Sequence, residues 1–118
     1  MELFDTTQLA LGAALRGANA RQAALAGNLA NVDTPGYVRK DVDFHATLQA
    51  ALAGGDKPSK VDFTATEDAS AAVRADGNSV DVDAENSALA QNALEYDALA
   101  KVAGSRIDIL KNAMGVGS

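Results

Sequence analysis

The chain has 118 residues, a hydrophobic fraction of 47% and a formal net charge of −6, with neither cysteine nor tryptophan. Its length allows one domain. Scattered basic residues argue against a nucleic-acid surface, and the lack of cysteine excludes a disulfide framework or a thiolate metal site. Nearly half of the apolar residues are alanine. Leu, Ile, Val and Phe together make up roughly a fifth of the chain, near the level where independent folding fails. The composition therefore predicts a marginal monomer that completes its core against neighbouring subunits.

The start, Met1 to Asp5, has neither the basic nor the apolar region of a cleaved secretory signal. No run approaches the roughly 18 apolar residues of a membrane span, so no membrane insertion is expected. The layout predicted is a single domain: an N-terminal helix over 1–33, a turn and short helix over 34–53, a variable loop over 54–80, and a C-terminal helical segment over 81–114.

Asp5-Thr6-Thr7-Gln8 has the form of a capping box, with Gln8 able to reach back, and predicts the start of the first helix. Phe4, Leu11, Leu15, Ala18, Leu25, Leu29 and Val32 follow an alternating three and four spacing, interrupted at stripe positions by Gln8 and Gln22. This is a coiled-coil-like seam about 40 Å long. Gly12, Gly17 and Gly27 weaken the isolated helix but leave room for another helix to approach.

The helix must end by about Asp33, because Pro35 forces Thr34 into an extended conformation. Pro35-Gly36 fits the central pair of a type II turn, which returns Tyr37 towards the surface the helix packs on. Val38 to Lys40 should then be extended. Asp41 or Asp43 caps a short helix lined by Phe44, Leu48, Ala51 and Leu52 and ended by Gly54-Gly55. His45 is the only histidine, which leaves it a surface or packing role.

From Gly54 to about Ser79 the pattern fails. Gly54 to Ser59 lacks the spacing of a phosphate loop and reads as a linker. Val61–Thr64 and Ala72–Arg74 read as short strands, with Asp76-Gly77 a hairpin turn into Val80–Val82. Asp76, Asn78, Asp81, Asp83 and Glu85 lack the glycine and final glutamate of a calcium loop. They read instead as acidic groups that cap a helix N-terminus and complement its dipole. That final helix runs from about Asp83 to Met114. Its longer seam is Leu89, Ala93, Tyr96, Ala100, Ala103, Ile107, Leu110 and Met114, and its second stripe is Leu99, Val102, Ile109 and Ala113. Two seams exceed what one partner helix covers. The longer one is assigned to the N-terminal helix and the shorter to neighbours, with Gly115 and Gly117 ending the helix. The fold class expected is mainly α: long terminal helices packed as a coiled-coil-like antiparallel pair, a short middle helix, and an irregular or partly extended central segment.

Asn28, Leu29, Ala30, Asn31, Thr34, Pro35, Gly36 and Tyr37 form a more specific pattern than a helix end and a turn. They resemble the N-terminal signature of the bacterial flagellar axial proteins of rod and hook. Val42-Asp43-Phe44 with Leu48, and Ala90, Asn92, Leu94 and Tyr96 on the last helix, are similar to the FlgB family of proximal rod proteins. The rod family of FlgC is the alternative within the group. The resemblance implies a structural subunit of the flagellar basal body in the periplasmic space, exported by the flagellar type III apparatus and folding on assembly. It also implies as partners other copies of the chain, FlgC, FlgF and FlgG, and FliE with the MS ring. No cofactor is implied. One histidine, no cysteine and no nucleophile motif argue against an enzyme. A free-standing helical adaptor, the remaining alternative, would melt as a cooperative monomer or small closed oligomer.

Overall fold

The computed structural model describes residues 5–115. Phe4, at the head of the predicted seam, and Gly117, at the predicted helix end, lie outside that range. The chain forms α1 (Thr6–Ala30), a two-residue strand β1 (Lys40–Asp41), α2 (Phe44–Ala53), a 3₁₀ turn (Pro58–Lys60), a two-residue strand β2 (Thr66–Glu67) and α3 (Val82–Ala113). The long helices α1 and α3 pack antiparallel. Gln8 meets Ala103, Ala18 meets Asn92, and Asn28 meets Glu85, so the partner number falls as α1 advances. The molecule measures 62 × 32 × 15 Å with a radius of gyration of 17.7 Å. A compact chain of this length would have about 13.5 Å. So flat a shape buries few large side chains.

The helix ends follow the expected chemistry. Asp5 caps α1 by accepting from the Gln8 N–H at 2.8 Å. Gln8 does not complete the capping box: its amide is buried against α3, where Nε2 donates to the Ala103 carbonyl at 3.3 Å. Asp43 caps α2 through the Ala46 N–H, and Asp81 caps α3 through the Asp83 and Ala84 N–H groups. Helix α1 ends at Ala30, three residues before the predicted limit, and 31–33 continue as turns.

The core lies between α1 and α2. Phe44, 1% exposed, packs with Ala14, Ala18 and Val42, while Leu48, Phe63 and Leu99 close over it. Gly17 makes the socket. A β-carbon there would stand 2.5 Å from the Phe44 Cβ and 3.0 Å from the Phe63 ring. The close approach assigned to the glycines is therefore made by one aromatic ring of the short helix. Gly12 and Gly27 have open space where a Cβ would lie.

The central segment is built differently from its predicted strands. Val61–Thr64, Ala72–Arg74 and Val80–Val82 are not strands. The one ladder among the described residues pairs Lys40 with Glu67 and Asp41 with Thr66 in antiparallel register. Val61 is buried, and Arg16 ties this stretch to α1 by donating to the carbonyls of Pro58 (2.8 Å) and Val61 (3.0 Å). Strand propensity yields here because it measures fit to a half-buried pleated surface, and the one ladder present, β1 with β2, is two residues long. A turn does form at Asp76-Gly77, where the Gly77 N–H bonds the Arg74 carbonyl at 2.9 Å. The Arg74 N–H in turn bonds the Asn78 carbonyl at 2.9 Å, which closes a loop in place of a ladder.

The two classes of glycine should separate on substitution. Gly17→Ala is expected to destabilise the chain by about 1–3 kcal/mol through overpacking against Phe44. Gly27→Ala should raise stability by up to about 1 kcal/mol through helix propensity alone. Thermal melts followed by circular dichroism check both signs.

Candidate functional site: the signature turn and the two faces of the helix pair

The end of α1 is satisfied by side chains of the signature itself. The Asn31 N–H bonds the carbonyls of Gly27 and Asn28, and its side-chain Nδ2 returns to the Gly27 carbonyl at 2.8 Å. The Thr34 hydroxyl donates to Asn31 Oδ1 at 3.1 Å. Gly36 has φ +75°, and the Tyr37 N–H bonds the Thr34 carbonyl at 3.2 Å. These are the marks of a type II turn. Its effect is to aim the Tyr37 hydroxyl back at Asn28 Oδ1, 3.2 Å away.

Asn28 is fully buried and acts as a two-way connector. Its Oδ1 accepts from the Lys40 N–H at 2.9 Å, and its Nδ2 donates to the Lys40 carbonyl at 2.7 Å. One side-chain amide thus pairs with both backbone groups of a residue, as a neighbouring strand would. The same Nδ2 reaches Glu85 Oε2 at 3.2 Å. Glu85 is 1% exposed and receives Arg39 Nε on its other oxygen at 2.5 Å. Arg39 also grips Asp68 at 2.6 Å. A second amide, Asn78, donates to the carbonyls of Asn31, Val32 and Thr34 at 2.9, 3.1 and 2.8 Å. All three belong to the turn residues that follow the end of the helix at Ala30.

The electrostatics follow from these contacts. Pairing with Glu85 and then Asp68 outweighs burial and raises the Arg39 pKa above its usual value. Asp68 is lowered by the Ser70 hydroxyl and by Arg39. At Asp41 burial opposes ionisation, yet the hydrogen bonds from Arg21 and the Val42 N–H leave it below the ordinary carboxylate range. His45 stacks on Phe44 with ring centroids 4.2 Å apart and pairs with Glu95. Among the described residues no group of three or more His, Cys, Asp or Glu is placed to hold a metal, and no helix is long and apolar enough to cross a membrane.

A family described as Flagella basal body rod protein matches residues 10–37, the stretch that comprises most of α1 and the turn. The chain is 33% identical to the flagellar basal body rod protein FlgB of Bacillus subtilis (strain 168), with 97% of each chain covered. It is 32% identical to FlgB of Salmonella typhimurium and to FlgB of Escherichia coli K12, with 83% of this chain and 85% of each relative covered. The chain belongs to the FlgB family of flagellar basal body rod proteins. Its function is that of a structural subunit of that rod.

In this FlgB-family chain the residues named from the sequence fall into three groups. Leu25 is buried, and Leu11, Leu15, Leu29, Leu89, Leu99, Ile107 and Leu110 are half-buried about the helix pair. Ala30, at the end of α1, and Thr34, Pro35 and Gly36 of the turn are exposed. Ala93, Tyr96 and Met114, assigned to the inner seam, are exposed instead, as are Val102 and Ile109 of the second stripe. The inner face of α3 runs Glu85, Asn92, Leu99, Ala103 and Arg106: Ala103 keeps its place in the predicted seam, Leu99, assigned to the second stripe, packs on the core instead, and the face as a whole is displaced by about one position. The cause is polar. Asn92 Nδ2 holds the Ala18 carbonyl at 2.8 Å and Gln22 at 2.9 Å, while Arg106 meets Gln8 at 3.2 Å and Asp5 at 2.9 Å. A count of apolar residues skips those positions. Gln8 and Gln22 signalled them, as polar residues standing inside an apolar stripe.

Removing one member of the network takes hydrogen bonds away from buried groups, although Glu85 keeps Arg39 and Asn28 keeps the Lys40 N–H when their other partners are lost. Asn28→Ala is expected to cost about 1–3 kcal/mol, and Tyr37→Phe about 1 kcal/mol, in denaturant titrations. Acid should have a similar effect. The folded-state pKa values of Asp41 and Asp68 lie below their unfolded values, so their contribution is complete above about pH 4 and falls away as pH drops through the folded values. Melting temperatures measured from pH 6 to pH 2 should therefore fall below about pH 4, and Asp68→Asn should flatten that fall.

Proposed function

We propose that this chain is a subunit of the proximal rod, carried out by the flagellar type III apparatus and completing its fold on assembly. Its neighbours in that reading are other copies of itself, FliE and the MS ring on one side, and FlgC, FlgF and FlgG beyond. The observation that carries it is the outward face of α3. Leu94, Val102 and Ile109 are 71%, 50% and 66% exposed on a 32-residue helix whose inner face is already occupied. An uncovered apolar line of this length on a thin, alanine-rich chain suits a subunit built to be covered by others. The polar ties of the inner face suit late folding, since their bonds are directional and form only once the helices are in register.

A pair of substitutions tests the division between fold and assembly. Leu99→Asp puts a carboxylate against the core and should cost several kcal/mol, with loss of helicity. Ile109→Asp lies on the surface and should change stability by no more than about 0.5 kcal/mol. It should be exported normally yet be missing from purified basal bodies. Circular dichroism, export assays and basal-body composition report the outcomes. Normal incorporation of Ile109→Asp would overturn the reading.

A further inference from the structure

The side of the helix pair opposite that stripe is grooved. One recess of about 460 Å³ lies between Leu9, Gly12 and Leu15 of α1 and Ala103 and Ile107 of α3, and its lining is mostly apolar. A second, of about 170 Å³, lies further along the same two helices, between Asn19 and Gln22 on one side and Ala93, Tyr96 and Asp97 on the other. Asn92 also lines it. This residue is 1% exposed, and its Oδ1 has no hydrogen-bond partner among the described residues. The amide cannot simply be turned over, because Nδ2 faces the Ala18 carbonyl, which only a donor satisfies. A buried acceptor left this way remains unfavourable until a donor reaches it.

Resting on the assembly reading above, we propose that this groove receives the Leu94, Val102 and Ile109 stripe of a second copy of the same chain. Three features fit that occupant. The groove extends from Asn92 to Ile107 and the stripe from Leu94 to Ile109, so each spans about 22 Å of helix at 1.5 Å per residue. The stripe is flanked by the exposed donors Lys101 and Ser105, and the smaller recess carries the exposed carboxylate of Asp97 on its rim. Gly12 leaves open space in the groove wall, with nothing within 4 Å of where a Cβ would stand, enough for an aliphatic knob. Ile107 and Ile109 stand about 200° apart around α3. Groove and stripe therefore lie on opposite sides of one molecule, and their union is head-to-tail, with an open end at each step.

Because the chain has no cysteine, the contact is readable by disulfide trapping. A strain whose only copy carries Gly12→Cys and Ile109→Cys is grown, and its basal bodies are purified, oxidised and run on a non-reducing gel. The expected result is a ladder at multiples of the chain mass, absent from either single variant. A bond to a subunit of another mass would overturn the assignment to a second copy, and assembled rods with no cross-link would overturn the groove itself. Gly12→Trp supplies a readout that needs no cysteine. It fills the larger recess from an open position, so helicity and export should match wild type while incorporation falls at least tenfold. Full incorporation of Gly12→Trp alongside exclusion of Ile109→Asp removes the groove proposal and leaves the assembly reading standing.

Discussion

The fold depends on one desolvated connection, Asn28 to Glu85 to Arg39. Each group is expensive to bury alone and inexpensive once the others are present, so the three enforce one another. Asn28 sits in the last turns of α1, Arg39 beside β1, and Glu85 in the first turn of α3. Joining them closes the chain reversal, the return strand and the start of the last helix at a single point. The turn at Pro35-Gly36 serves that closure. Its geometry matters because it delivers Tyr37 and the Lys40 peptide to Asn28.

Such an arrangement compensates for a small apolar core. Among the described residues, Phe44 in the Gly17 socket is the one aromatic ring that the helices bury completely. Alanine seams give close helix contact but little area, and area sets the hydrophobic contribution. Directional bonds at Gln8, Asn92 and Asn28 supply the specificity that apolar surface supplies elsewhere. They leave the other faces of α3 free for contacts outside the subunit.

Helices, caps and the turn were legible in the sequence because each is a local event. Asp5, Asp43, Asp81, Pro35 and Gly36 act within four residues of their own position. What was not legible was long-range polar pairing. Glu85 reads as a dipole-compensating first-turn acid, and nothing near it in sequence announces Asn28 or Arg39 as its partners. Asn78 likewise reads as a member of an acidic loop, while its amide holds three carbonyls more than forty residues away. The inner seam of α3 slipped by one position for the same cause. Apolar periodicity located the stripes but not the face that polar residues had claimed.

The spacing of the three ties has a mechanical consequence. Smooth alanine ridges offer little resistance to one helix sliding along the other, because neighbouring registers bury nearly equal area. The bonds at Gln8, Asn92 and Asn28 fall roughly ten residues apart along α1. Any slip breaks all three at once and strands their buried carbonyls and amides. The pair therefore has one axial register with steep walls about it, and a load applied along the helices is borne as shear across a few stiff, directional bonds.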